Sequence, residues 1–168
     1  MKTKITVVVS LIFGFLFGII FTAAALNISA QKMMIKELKS PFDFEKTVRV
    51  MVDRINQKPG WHVTAVIDQN SEVKKNGGFE IGKFTIIKYC HGKFAARMLA
   101  VDSRKKIGNM MPKSFAVYEK SDGQVYISTM NGAVIGKLFG GRTEEIIEES
   151  SLEIEDIMRF VNLKYTLF

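Results

Sequence analysis

The chain has 168 residues, with 24 Lys and Arg against 17 Asp and Glu, a formal net charge of +7 and 47% hydrophobic residues. That composition excludes wholesale disorder and collagen-like repeats. A single Cys excludes an internal disulfide framework and any multi-Cys zinc site within one chain.

The charge is unevenly spread. Residues 1–142 carry +12 and residues 143–168 carry −5. A basic body of this kind can meet nucleic acid, anionic lipid, an anionic ligand or its own acidic tail.

Taken in chain order, the first element is an uncharged apolar run of 22 residues from Ile5 to Leu26. As a helix it extends about 33 Å, enough for a bilayer core of roughly 30 Å. Lys2 and Lys4 precede it, and Ala23, Ala24 and Ala25 offer small residues for signal cleavage. The run exceeds the roughly 7–15 apolar residues of a signal peptide, which favours an uncleaved anchor in the lipid bilayer over a cleaved signal. The basic N-terminus stays in the cytoplasm by the positive-inside rule, so both outcomes place the main domain outside, in the periplasm or at the cell surface. Lys32, Lys36 and Lys39 beyond the run weaken that bias. Gly14 and Gly18 form a G-x-x-x-G pattern, which is a dimer face in some membrane helices and merely two common glycines in others. Asn27-Ile28-Ser29 is formally a glycosylation sequon, but it lies too close to the apolar run to carry weight.

Met33 to Lys39 fits a strand or an extension of the preceding helix. Asp43 predicts the N-cap of a helix from Phe44 to about Gln57, with Phe44, Val48, Met51, Val52 and Ile55 on its apolar stripe. Lys58-Pro59-Gly60 ends it. Trp61, Val63, Ala65 and Ile67 alternate as a half-buried strand. Ser71 to Asn76 reads as a polar loop, Phe84 to Tyr89 as a strand, and Lys93 to Ala100 as a helix with Phe94, Met98 and Leu99 inward. Ser103 to Asn109 reads as a basic loop. Phe115–Glu119 and Val125–Met130 are strands joined through Asp122-Gly123, the sharpest hairpin signal in the chain. Asn131 can cap a short helix through Phe139. Thr143 can cap a final helix whose stripe is Ile146, Ile147, Ile154, Ile157, Met158 and Val161, interrupted at Ser150 and Ser151. The order predicts an α+β fold: one mainly antiparallel sheet with helices on one face, preceded by one N-terminal transmembrane helix. The expected divisions are an anchor or signal over residues 1–30, an α+β domain over 31–142 and an acidic amphipathic helix over 143–168.

From about Met33 to Gly141 the chain resembles the DUF302 family, an uncharacterised prokaryotic domain family. The segments that carry the resemblance are Ser40-Pro41-Phe42-Asp43-Phe44, Gly60-Trp61, Cys90 at a strand end, and Met110-Met111-Pro112 followed by the stretch from Phe115 to Gly123. Val125 to Asn131 and Gly136 to Gly141 complete it. The resemblance implies a compact TBP-like α+β domain, often a homodimer, and no established reaction. Similar sequences tend to carry Cys where this chain has Lys113. They often have Cys-Asn-Pro at Cys90-His91-Gly92, and some have His at Gln69. Those departures weaken any function that depends on a pair of cysteines.

Cys90 and His91 form the most reactive-looking pair, because an imidazolium lowers the pKa of a nearby thiol. Adjacent strand residues point to opposite faces, however, so the plainer expectation is a small buried Cys followed by a helix-capping His. His62 falls on the polar side of its strand. Met110, Met111 and Met130 could join Cys90 or His91 in a copper(I) or haem site, against the simpler expectation that methionines fill core gaps. Arg104, Lys105, Lys106 and Lys113, with Lys74 and Lys75, are candidates for an anion-binding face or a solvated loop. No nucleophile elbow, P-loop, dinucleotide fingerprint or c-type haem motif is present, and no nucleic-acid recognition motif supports a nucleic-acid partner. The expectation is a membrane-anchored extracytoplasmic binding or interaction module without evident catalysis. The alternative is a redox, copper or haem handling protein centred on Cys90 and His91.

Overall fold

The structure is a computed structural model describing the main chain of residues 2–162 and the side chains of residues 6, 7, 9–22 and 33–161. The chain separates into two units, Met1–Met34 and Ile35–Phe168.

The first unit is a single helix, α1 (Lys2–Met34). Its described apolar side chains, among them Phe13, Phe15, Ile20 and Phe21, are exposed. Among the described residues no helix is long and apolar enough to cross a membrane. The uninterrupted described side chains of α1, residues 9–22, cover only about 21 Å at ~1.5 Å per residue. The expected span from Ile5 to Leu26 runs past them at both ends. The side chains of Lys2, Lys4, Ala23, Ala24, Ala25, Asn27, Ser29 and Lys32 also lie outside the described residues.

The second unit begins with strand β1 (Ile35–Lys39) and helix α2 (Phe44–Gln57). Asp43 starts α2 as its residue type predicts: its carboxylate accepts from the Lys46 amide at 2.7 Å. Strand β2 (Trp61–Asp68) follows, then the short helix α3 (Gln69–Lys75). This helix replaces the polar loop expected at Ser71–Asn76. Asp68 caps it by accepting from the Ser71 amide at 3.0 Å and the Ser71 hydroxyl at 2.7 Å.

Strand β3 (Phe84–His91) runs into helix α4 (Gly92–Leu99). The expected basic loop at Ser103–Asn109 is instead a 3-10 helix over Asp102–Met110. Strands β4 (Lys113–Glu119) and β5 (Val125–Met130) form the hairpin. Helix α5 (Gly132–Phe139), α6 (Gly141–Ile157) and the single turn α7 (Arg159–Asn162) close the described chain. The last long helix begins two residues before Thr143. Gly140, at φ +67°, ends α5 and opens α6 within one residue, so Thr143 lies inside the first turn rather than capping it.

The five strands form one antiparallel sheet in the order β1-β5-β4-β3-β2. Helix α2 carries the chain from one edge strand to the other. Alternation along each strand assigns Ile87, Tyr89, Phe115, Val117, Val125 and Ile127 to one face. They share one buried cluster with Met51 and Ile55 of α2, Ile154 and Ile157 of α6, and Phe160 and Val161 of α7. The apolar stripe of the terminal helix is therefore core.

The uneven charge resolves within this unit. Lys36 pairs with Glu155 at 2.6 Å, Lys58 with Asp156 at 2.5 Å, and Arg97 holds Glu149 through two bonds of 2.5 and 2.9 Å. Arg54 donates to the carbonyls of Ile157 and Asp156 at the C-terminal end of α6, where the helix dipole favours a cation. Trp61 Nε1 donates to Glu153 at 2.6 Å. The hydrogen bond from Lys58 and the charge of Arg159 hold the Asp156 carboxyl below its usual range. These pairs fix the acidic helix on the basic body. Each is partly exposed, so they set the register of α6 more than they contribute stability.

Candidate functional site

The adjoining ends of β3, β4 and β5 meet α4, α5 and α6 around a cavity of about 90 Å³. That volume is several times the ~10–15 Å³ that a single water requires. Most of the wall is apolar. Phe94 and Met98 come from α4, Ile107 from the 3-10 helix, Ile135 from α5, and Ile146 and Ile147 from α6.

Lys113 enters this wall because it has the same strand phase as Phe115 and Val117, both fully buried. Its ammonium donates to the Ser150 hydroxyl at 2.7 Å, and Ser150 in turn donates to the Ile147 carbonyl at 2.9 Å. No carboxylate pairs with Lys113 among the described residues. Glu155, also in the wall, is committed to Lys36. Burial pushes the Lys113 ammonium down to about 8, opposed only by the nearby Cys90. A charge withdrawn from water favours its neutral form unless an opposite charge meets it.

Tyr89 stands directly opposite Lys113 in the β3–β4 register. It is fully buried, stacked on Phe115 with ring centroids 4.6 Å apart, and part of the same wall. Burial holds its phenol well above the usual range. Its hydroxyl has no hydrogen-bond partner of good geometry. Thr129 stands beside it, its hydroxyl donating to the Ser114 carbonyl at 3.2 Å and keeping its lone pairs toward the phenol.

The sequence candidates divide. Cys90, His91, Met110, Met111, Met130 and Lys113 all lie along this one cavity. His91, however, has its Nδ1 engaged and its ring tightly packed. Its Nδ1 accepts from the Phe94 amide at 3.4 Å and caps α4. Its Nε2 abuts Gly60 so closely that a Cβ there would stand 2.2 Å away. Trp61 meets the ring edge-on at 5.2 Å. This imidazole therefore caps a helix and packs a corner.

Strand alternation places half-buried Cys90 on the opposite face of β3 from Tyr89 and His91. Its cross-strand neighbour is His62, a pairing that adjacency in sequence did not suggest. Among the described residues no group of three His, Cys, Asp or Glu is placed to hold a metal.

The basic candidates separate as well. Arg104 donates to the carbonyls of Arg97 and Met98 and so closes the C-terminal end of α4. Lys105 pairs with Asp102 at 2.6 Å, and Lys106 is exposed. Lys74 pairs with Glu80 at 3.6 Å and Lys75 with Glu72 at 3.1 Å. Of this set only Lys113 reaches the cavity.

A family model described as "Domain of unknown function DUF302" matches residues 36–161. Comparison with curated proteins finds no match. Among solved structures, the crystal structure of an uncharacterized conserved DUF302 protein from Bacillus stearothermophilus is similar, with a TM-score of 0.67 at 16% identity. The match covers 77% of this chain and 98% of the other. At that identity the likeness concerns the fold. The family match continues past Gly141 through α6, so the acidic helix lies inside the matched region.

Proposed function

The chain belongs to the DUF302 family, and we propose that it is a membrane-anchored, extracytoplasmic binding module without evident catalysis, whose ligand occupies the cavity beside Lys113. The cavity carries this reading: an apolar pocket with a few polar groups is the usual form of a small-molecule site. The anchor is supported by the uncharged run from Ile5 to Leu26, the helical main chain of α1 and its exposed Phe and Ile side chains.

Trp61 is the only tryptophan and belongs to the cavity wall. Titrating the full chain in detergent micelles with benzamide, a small neutral aromatic, is expected to shift Trp61 fluorescence saturably. A change that is linear and unsaturable would overturn the binding reading. Orientation has its own reporter in the single Cys90. A membrane-impermeant maleimide is expected to label it in intact spheroplasts; labelling only after lysis would place the domain on the cytoplasmic side.

Cys90, Met110, Met111 and Met130 all border one cavity, and a second reading, copper(I) or haem handling, rests on that proximity. The engaged Nδ1 of His91 and the place of Cys90 on the opposite face of β3 count against it. Stoichiometric copper(I) uptake that is abolished in Cys90→Ser is the result it requires.

A further inference from the structure

The polar groups of the cavity are unbalanced. Ser150 and Ser151 both spend their hydroxyl protons on the Ile147 carbonyl, at 2.9 and 2.6 Å, and Thr129 spends its own on Ser114. Lys113 has three N–H donors and uses one, on Ser150. The Tyr89 hydroxyl, fully buried beside Thr129, makes no hydrogen bond of good geometry. The Lys113 and Tyr89 side chains spring from directly opposed positions on neighbouring strands and line the same wall. The unspent donors of Lys113 thus face a mostly apolar wall whose one carboxylate, Glu155, is already paired with Lys36. Leaving such groups unmatched in a low-dielectric interior is costly, and an incoming acceptor recovers that cost.

From this geometry we infer that the cavity ligand is a small apolar carboxylate, its anionic head received by Lys113 and Tyr89 and its hydrocarbon body by Met98, Ile107, Ile135 and Ile146. The assignment rests on the binding reading above and narrows it from any small apolar molecule to an anion. A neutral ligand would fill the same volume and leave the ammonium without a counter-charge. An anion forms charge-assisted hydrogen bonds, which are roughly twice as strong as neutral ones.

The test compares benzoate with benzamide, an uncharged molecule of nearly the same shape, on the full chain in micelles with Trp61 fluorescence as the readout. Benzoate is expected to bind about tenfold or more tightly than benzamide, the range that a hydrogen bond to a charged group supplies. Lys113→Met is expected to erase that preference, so that benzoate binds no more tightly than benzamide. Tyr89→Phe, which removes only the hydroxyl, is expected to weaken benzoate by about three- to tenfold. Benzoate affinity should also fall as pH rises through about 8, where Lys113 loses its proton.

Equal binding of the two probes, or a benzoate affinity indifferent to Lys113→Met, overturns the carboxylate assignment and leaves the cavity reading standing. Failure of both probes to bind overturns both.

Discussion

Lys113→Met is expected to stabilise the protein at neutral pH by about 2 kcal/mol, and to remove a rise in stability between about pH 8 and pH 10.5. The sign follows from the proton balance. Below pH about 8 the folded and unfolded chains both carry the ammonium, and the folded chain bears the full desolvation penalty. Between about 8 and 10.5 the folded chain has shed the proton while the unfolded chain keeps it. The unfolded state then binds more protons, and stability rises with pH. Above 10.5 both are neutral and the penalty is gone. The gap between about 8 and 10.5 corresponds to about 3 kcal/mol. Methionine fills a similar volume without a charge, and loss of the bond to Ser150 offsets about 1 kcal/mol of the gain. Urea unfolding of both chains in micelles across this pH range checks it. A variant less stable than the native chain at neutral pH, with an unchanged pH profile, would mean that Lys113 is solvated.

Gly60→Ala is expected to cost about 3 kcal/mol, combining about 1–2 for a side chain at positive φ with about 1–3 for displacing packed atoms. Gly60 sits at φ +83°, and the new Cβ would stand 2.2 Å from His91 Nε2 and 2.8 Å from Cε1. The ring has little room to yield, being enclosed by Trp61 and Phe94 at centroid distances of 5.2 and 4.6 Å. In an His91→Ala background the clash disappears and only the backbone strain remains, so the two substitutions should be coupled by about 2 kcal/mol. Denaturation of the two single variants and the double variant measures the coupling. Simple additivity would show that His91 is not seated against Gly60.

Much of this fold was legible because local chemistry and the hydrophobic period agree. Asp43 announces α2, Asp122-Gly123 announces the hairpin, and Ile146, Ile147, Ile154 and Ile157 announce a packed helix. The cavity was only partly legible. Lys113 follows the basic stretch Arg104-Lys105-Lys106 and reads with it, although its parity with Phe115 and Val117 already pointed inward. Ser150 reads as a break in the stripe of α6. It lies four residues from both Ile146 and Ile154, hence on the same face, and is the point where Lys113 docks. The β2–β3 register opposes His62 and Cys90 across a bulge between Val63 and Ala65. No local pattern encodes that shift, so sequence adjacency directed attention to His91 instead. The opposite charges of the two segments were countable in the sequence, but which lysine meets which glutamate depends on where α6 lies across α2, α4 and β1.

A Lys113 ammonium withdrawn into an apolar cavity is tested most directly by its own titration, followed by heteronuclear NMR on lysine-labelled full chain in micelles. The predicted midpoint is about 8. A midpoint at the ordinary lysine value of 10.5 would contradict it, because the side chain would then stand in water and the cavity would offer no cation to a ligand.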